Sequence, residues 1–103
     1  MGAGKKLGYA REVDSGSWMD DFNVTLVAAA KLTNVHATKY VDNDGTVREK
    51  VTADFIDTGA ITLTDYAGFP KYSVIDDYQA DLIHRKVADA GTSTWKSTTD
   101  IFV

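Results

Sequence analysis

Asn43-Asp44-Gly45 is the stretch that most restricts how this chain can fold. As a three-residue hairpin loop with its glycine in the left-handed position, it sets Val41 opposite Val47. The same register then opposes Lys39 to Glu49, Ala37 to Val51 and Val35 to Ala53. A two-residue Asp44-Gly45 turn would instead set Val41 against Arg48 and Lys39 against Lys50, which is worse for burial and for charge. Asp57-Thr58-Gly59 repeats the device, pairing Ile56 with Ala60, Phe55 with Ile61, Ala53 with Leu63 and Thr52 with Thr64. One inner face then carries Val35, Ala37, Val41, Val47, Val51, Ala53, Phe55, Ile61 and Leu63, and a slip of one residue would turn all of them outward. The pattern predicts a three-stranded antiparallel meander over about residues 34–66.

Outside the meander the signals are those of helices. Ser17-Trp18-Met19-Asp20 has the form of a capping box, and Trp18, Met19, Phe22, Leu26, Ala29 and Ala30 fall on one side of a helical wheel. A helix over about residues 18–32 is expected, although Phe22, Val24, Leu26, Ala28, Ala30 and Leu32 also alternate as a strand would. Ser73-Val74-Ile75-Asp76 repeats the capping form and Gly91 is a natural helix stop, predicting a second helix over about residues 74–90. Trp95, Ser97, Thr99, Ile101 and Val103 share one face of a closing C-terminal strand. Residues 1–8, with three glycines and two lysines and no periodicity, read as a flexible arm. The expected fold is α+β: one domain spanning residues 1–103, two helices on one sheet face and the other face open.

Composition narrows the function. A chain of 103 residues holds one hydrophobic core. The run from Leu26 to Ala30 is far too short to cross a bilayer, and Lys5 and Lys6 are not followed by the apolar stretch of a secretory signal. A cytoplasmic setting is expected, or a virion if the chain is viral. With no cysteine there is no disulfide, thiolate zinc site or thiol nucleophile. A net charge of -4 disfavours duplex nucleic acid as an obligatory partner.

Several short motifs carry possible chemistry. Asp57-Thr58-Gly59-Ala60, preceded by Phe55 and Ile56, resembles the active-site turn of retroviral-type aspartic proteases. The resemblance implies a dimer in which Asp57 of each chain shares a catalytic water, with Thr58 bracing the turn. It covers only these residues, and the glycine-rich flap of that family is not found here. Asp42-Asn43-Asp44-Gly45 is not a calcium loop, since the spacing would put Tyr40 and Val51 at ligand positions. On a helix, Asp77, Asp81 and His84 would share one face and could hold a divalent metal, although Arg85 pairs equally well with Asp81. The outer face of the meander would present His36, Tyr40, Arg48, Lys50 and Tyr66 among threonines, basic groups interleaved with rings as a polyanion or an acidic partner would require.

No convergent catalytic set emerges from these checks. The sequence therefore predicts a non-catalytic structural or interaction module without a cofactor, whose open sheet face and edges favour self-association into a homo-oligomer, with other protein subunits as further partners. By fold-level analogy that reading extends to a phage or virion assembly subunit. The alternatives are a dimeric aspartic-protease-like enzyme and a binding module acting through the outer sheet face.

Overall fold

The computed structural model describes residues 11–12 and 17–99. The predicted arm, residues 1–8, and the end of the closing strand lie outside them. The described chain forms one mixed sheet whose strands lie in sequence order. They are β1 (Arg11–Glu12), β2 (Leu32–Val41), β3 (Val47–Phe55), β4 (Val74–Asp77), β5 (Leu82–Lys86) and β6 (Trp95–Thr99). The two-residue β1 adds to the edge of a sheet made of the other five. All neighbours are antiparallel except β3 and β4, which run parallel. A parallel neighbour requires a crossover, and residues 56–73 supply it.

The first hairpin forms in the expected register, with Val41 opposite Val47, Lys39 opposite Glu49 and Ala37 opposite Val51. Gly45 takes φ +85° at its turn, and the Asp42 amide donates to the Thr46 carbonyl across 2.9 Å. The register then shifts between Thr33 and His36, so that Leu32 faces Phe55 and the expected Val35–Ala53 pair does not form. Asn34 sits at the irregularity with φ +50°, its side-chain amide donating to Asp54 across 2.8 Å. Such a bulge bends the strand and spends one residue unpaired.

The meander is not completed. Asp57-Thr58-Gly59 makes no hairpin. The chain leaves the sheet after Phe55, and Leu63–Tyr66 forms a 3-10 helix where a third strand was predicted. The edge that strand would have taken is occupied by β4, paired through Thr52–Val74 and Phe55–Asp77. The crossover instead buries two rings, Tyr66 at 1% exposure and Phe69 at 0%, with centroids 5.6 Å apart. Burying two aromatic side chains is worth more than extending the apolar alternation of Ile61 and Leu63 by one strand.

Both predicted helices are also overturned. Residues 18–32 hold two four-residue turns, α1 (Ser17–Asp20) and α2 (Leu26–Ala29), before β2 begins. Asn23 at φ +56° breaks the chain between them, and Thr25 caps α2 by accepting from the Ala28 amide across 3.2 Å. The two competing periodicities each hold locally. Phe22 and Val24 are buried on either side of exposed Asn23, as in a strand, whereas adjacent Ala28 and Ala29 are buried as on a helix.

Where the second helix was expected, residues 74–86 form the β4–β5 hairpin, closed by a turn at Tyr78 to Asp81, with Asp81 at φ +55°. Ser73 does not cap a helix. Its hydroxyl accepts from the Val51 amide across 2.9 Å and ties the crossover to β3. The β-branched Val74, Ile75 and Ile83 favour strands. The helical reading prevailed in the sequence because the inward positions of this hairpin include Asp77, His84 and Lys86, which hide the period of two.

The core lies between one sheet face and the covering segments. Val51, Ala53, Phe55 and Ile75 come from the sheet, Met19, Phe22, Val24, Ala28 and Ala29 from the α1–α2 segment, and Tyr66 and Phe69 from the crossover. Val41 and Val47 were expected on the same buried face. They are 69% and 65% exposed, because the tip of the β2–β3 hairpin projects past the layer that covers the rest.

Candidate interaction surface

The outer face of the hairpin carries most of the predicted set. His36 pairs with Thr52, and Tyr40 with Arg48, while Lys50 pairs with Thr38 and holds its ammonium 5.7 Å from the centroid of the Tyr40 ring. These side chains share a face because they alternate with buried Ala37 and Val51. Tyr66 does not join them. It lies in the crossover with its hydroxyl donating to the Ala28 carbonyl across 2.8 Å, and burial pushes its phenol far above the ordinary tyrosine range.

Arg48 is held by its own hairpin. Nε donates to Asp42 Oδ2 across 2.6 Å, and Nη2 lies 3.4 Å from Asp44 Oδ2. The Asp42 bond raises the guanidinium pKa further, and the Thr46 amide holds the Asp44 carboxyl below the usual carboxylate range. Tyr40 is pushed up chiefly by burial, and its hydroxyl has no hydrogen-bond partner among the described residues.

Beside these residues runs a cleft of about 640 Å³, closed on its far side by Lys71 and Tyr72. Tyr72 is 48% exposed at φ +76°, with Lys71 Nζ 5.1 Å from its ring centroid. No local pattern marks these two, because they belong to a crossover that reads as a strand and a turn. The cleft also contains Asp21, Asp42, Glu49 and Asp89. With Arg48 tied to Asp42 and Asp44, acids outnumber the remaining cations, an electrostatic balance unsuited to a polyanion.

Asp77 and His84, predicted as neighbours on a helix, do meet, but across the β4–β5 hairpin. His84 Nε2 lies 3.1 Å from Asp77 Oδ2, and Nδ1 lies 2.6 Å from the hydroxyl of Ser97 on β6. Both side chains are almost wholly buried, at 3% and 4% exposure, so each satisfies the other's polar atoms and Ser97 closes the row at its solvent end. Reading residues 74–86 as a hairpin would have found the Asp77–His84 contact. Asp81 stands apart, exposed in the turn. No group of three or more metal-ligating side chains occurs among the described residues. Asp57 sits in the turn after β3, 4.0 Å from Lys31 Nζ, accepting from the Gly59 amide across 3.3 Å.

A second, smaller cleft of about 320 Å³ opens at the other end of β2. Met19, Ala29, Ala30, Leu32 and Val35 line it together with polar Thr33 and Asn34, and Leu26 and Val27 on the neighbouring α2 are 59% and 73% exposed. Exposed apolar side chains thus occur near both ends of β2, Val41 and Val47 at one and Leu26 and Val27 at the other. No helix among them is long and apolar enough to cross a membrane. Compared with known proteins, the chain matches no family model, no curated protein and no solved structure.

Proposed function

We propose that this protein is a non-catalytic structural module that associates with further copies of itself. The observation that supports this reading is the exposure of Val41 and Val47, paired across the tip of the β2–β3 hairpin at 69% and 65%. A scattered exposed valine is ordinary, but two on one face of a projecting tip form a contact point. Tyr40, Arg48 and Tyr72 beside it are residue types enriched where interfaces hold most of their binding energy. By fold-level analogy alone, the class of such a module is a subunit of a larger assembly such as a virus particle.

Light scattering coupled to size exclusion, run over a range of concentrations, tests the reading. The full chain is expected to run above the mass of one copy, and Val47→Asp to run as a monomer with unchanged circular dichroism. A full chain that stays monomeric at high concentration would refute self-association.

A further inference from the structure

We infer that Ser97 is an activated nucleophile and a site of covalent acylation, with His84 as its general base and Asp77 holding that base in place. The three side chains come from the adjacent strands β4, β5 and β6. Ser97 pairs with His84 across β5 and β6, and its hydroxyl lies 2.6 Å from His84 Nδ1. On the other side of the ring, Nε2 lies 3.1 Å from Asp77 Oδ2. Asp77 is fixed in turn by the Ala80 amide, which donates to Oδ1 across 3.3 Å.

The chemistry of each group sets the direction of these bonds. A carboxylate can only accept, so a neutral imidazole beside it keeps its one proton on the nitrogen that faces it. Here that nitrogen is Nε2. Nδ1 then carries a bare lone pair and accepts from the Ser97 hydroxyl, the orientation in which an imidazole takes up the proton as the oxygen attacks. The ring is turned end for end relative to the familiar Ser-His-Asp arrangement, but the roles require only one bare nitrogen and one held proton. Exposure divides along the row. Asp77 and His84 are buried, whereas Ser97 is exposed. The contacts that satisfy two buried side chains therefore also activate the one that faces solvent. Among the described residues β6 is the last strand of the sheet, so a reagent reaches Ser97 without crossing a neighbouring strand.

The substrate class is an activated ester. Ser97 Oγ attacks the carbonyl carbon and its proton passes to His84 Nδ1. The new C–O bond forms as the bond to the leaving alkoxide or aryl oxide breaks, and the leaving group takes the proton from Nδ1. One ester per copy results. Such a modification requires no turnover and does not depend on the self-association proposed above.

The probe is p-nitrophenyl acetate, applied to the folded full chain and mapped by peptide mass spectrometry. Thr99→Ser supplies an internal control, a second exposed serine on β6 that pairs with Leu82 instead of an imidazole. Ser97 is expected to be acetylated at least about 100-fold faster than that control position, the lower end of what a positioned base contributes. Equal rates, or an unmutated chain with no acetyl on Ser97, would overturn the inference. His84→Gln should slow the labelling of Ser97 by the same factor. Asp77→Asn keeps the shape of the side chain but can donate to Nε2, which moves the ring proton to Nδ1 and removes the base. A loss of labelling in Asp77→Asn with unchanged circular dichroism is therefore expected, and full labelling there would overturn the activation of Ser97. Should these two variants fail to fold, the comparison within Thr99→Ser decides alone.

Discussion

Replacing Gly68 with alanine tests the packing of the crossover on the α1–α2 segment. A Cβ built there would lie 1.2 Å from the Phe22 carbonyl oxygen, 2.3 Å from the Phe22 carbonyl carbon and 3.0 Å from Asn23 Cβ. The first two are backbone atoms, so no rotamer change relieves the overlap, and one of the two segments must move by about 2 Å to restore ordinary contact. Overpacking of a core costs about 1–3 kcal/mol, and a backbone obstacle puts this case at or above the upper figure. For a domain of this size about 3 kcal/mol corresponds to a fall in melting temperature of at least about 12 °C. Two other glycines calibrate the result. Gly45→Ala meets nothing within 4 Å but must hold φ +85°, a conformation that costs an L-residue about 1–2 kcal/mol. Gly59→Ala meets only the Asp57 carboxylate, at 3.3 Å, which can swing away, so it should be close to neutral. Calorimetry on the three variants should rank them in that order. A Gly68→Ala protein no less stable than Gly45→Ala would refute the close approach of the crossover to Phe22.

Tyr66→Phe removes the hydroxyl that donates to the Ala28 carbonyl across 2.8 Å, leaving that carbonyl with the Lys31 amide at 3.2 Å, and should cost about 1 kcal/mol at neutral pH in a denaturant titration. Because burial raises the folded-state pKa of Tyr66, the unfolded chain releases that proton first as pH climbs past about 10. Stability then falls by up to about 1.4 kcal/mol per pH unit, a loss that Tyr66→Phe should remove. Lys86 has the opposite sign. Burial lowers its pKa from 10.5, so the unfolded chain holds the proton longer and stability rises with pH toward 10.5, a rise that Lys86→Met should flatten. Asp77→Ala should cost about 2–3 kcal/mol by leaving His84 Nε2 unpaired inside the core. Ser97→Ala should cost under about 1 kcal/mol, since water can replace an exposed hydroxyl; thermal melts that rank the two in reverse would refute the described order of burial.

The part of the fold that could be read directly was the part fixed by a short-range turn. Asn43-Asp44-Gly45 sets its own register, and the pairs from Val41–Val47 to Ala37–Val51 follow from it. Beyond that hairpin the pairing partner is chosen by distant residues. Nothing local in Phe55 to Leu63 reveals that Val74 to Asp77 will lie beside β3, and Asp57-Thr58-Gly59 has the composition of a hairpin turn without the partner strand. The second helix failed for another reason. Its segment turns His84 and Lys86 inward at 2% and 1% exposure, so the apolar residues that remain, Ile75, Leu82, Ile83 and Val87, fall by accident on a helical arc. Tyr40, Arg48 and Lys50 share one face, as the register of the legible hairpin implies. Tyr66 was misplaced with the third strand, and Lys71 and Tyr72 went unnoticed with the crossover.

The burial pattern places polar side chains inside the middle of the sheet and apolar side chains outside its two ends. Inside, Trp95 Nε1 finds no partner among the described residues, whereas Lys86 Nζ donates to the Ala88 and Asp89 carbonyls across 2.7 Å each, and Asp77, His84 and Ser97 satisfy one another. That is the arrangement expected when buried polarity serves the fold itself. Outside, Val41 and Val47 at one end and Leu26 and Val27 at the other are largely exposed among the described residues. Folding gains nothing by exposing them, and each removes apolar surface from a core that a chain of this length can scarcely spare. The paired exposure of Val41 and Val47 at the hairpin tip is the observation on which the proposed self-association rests.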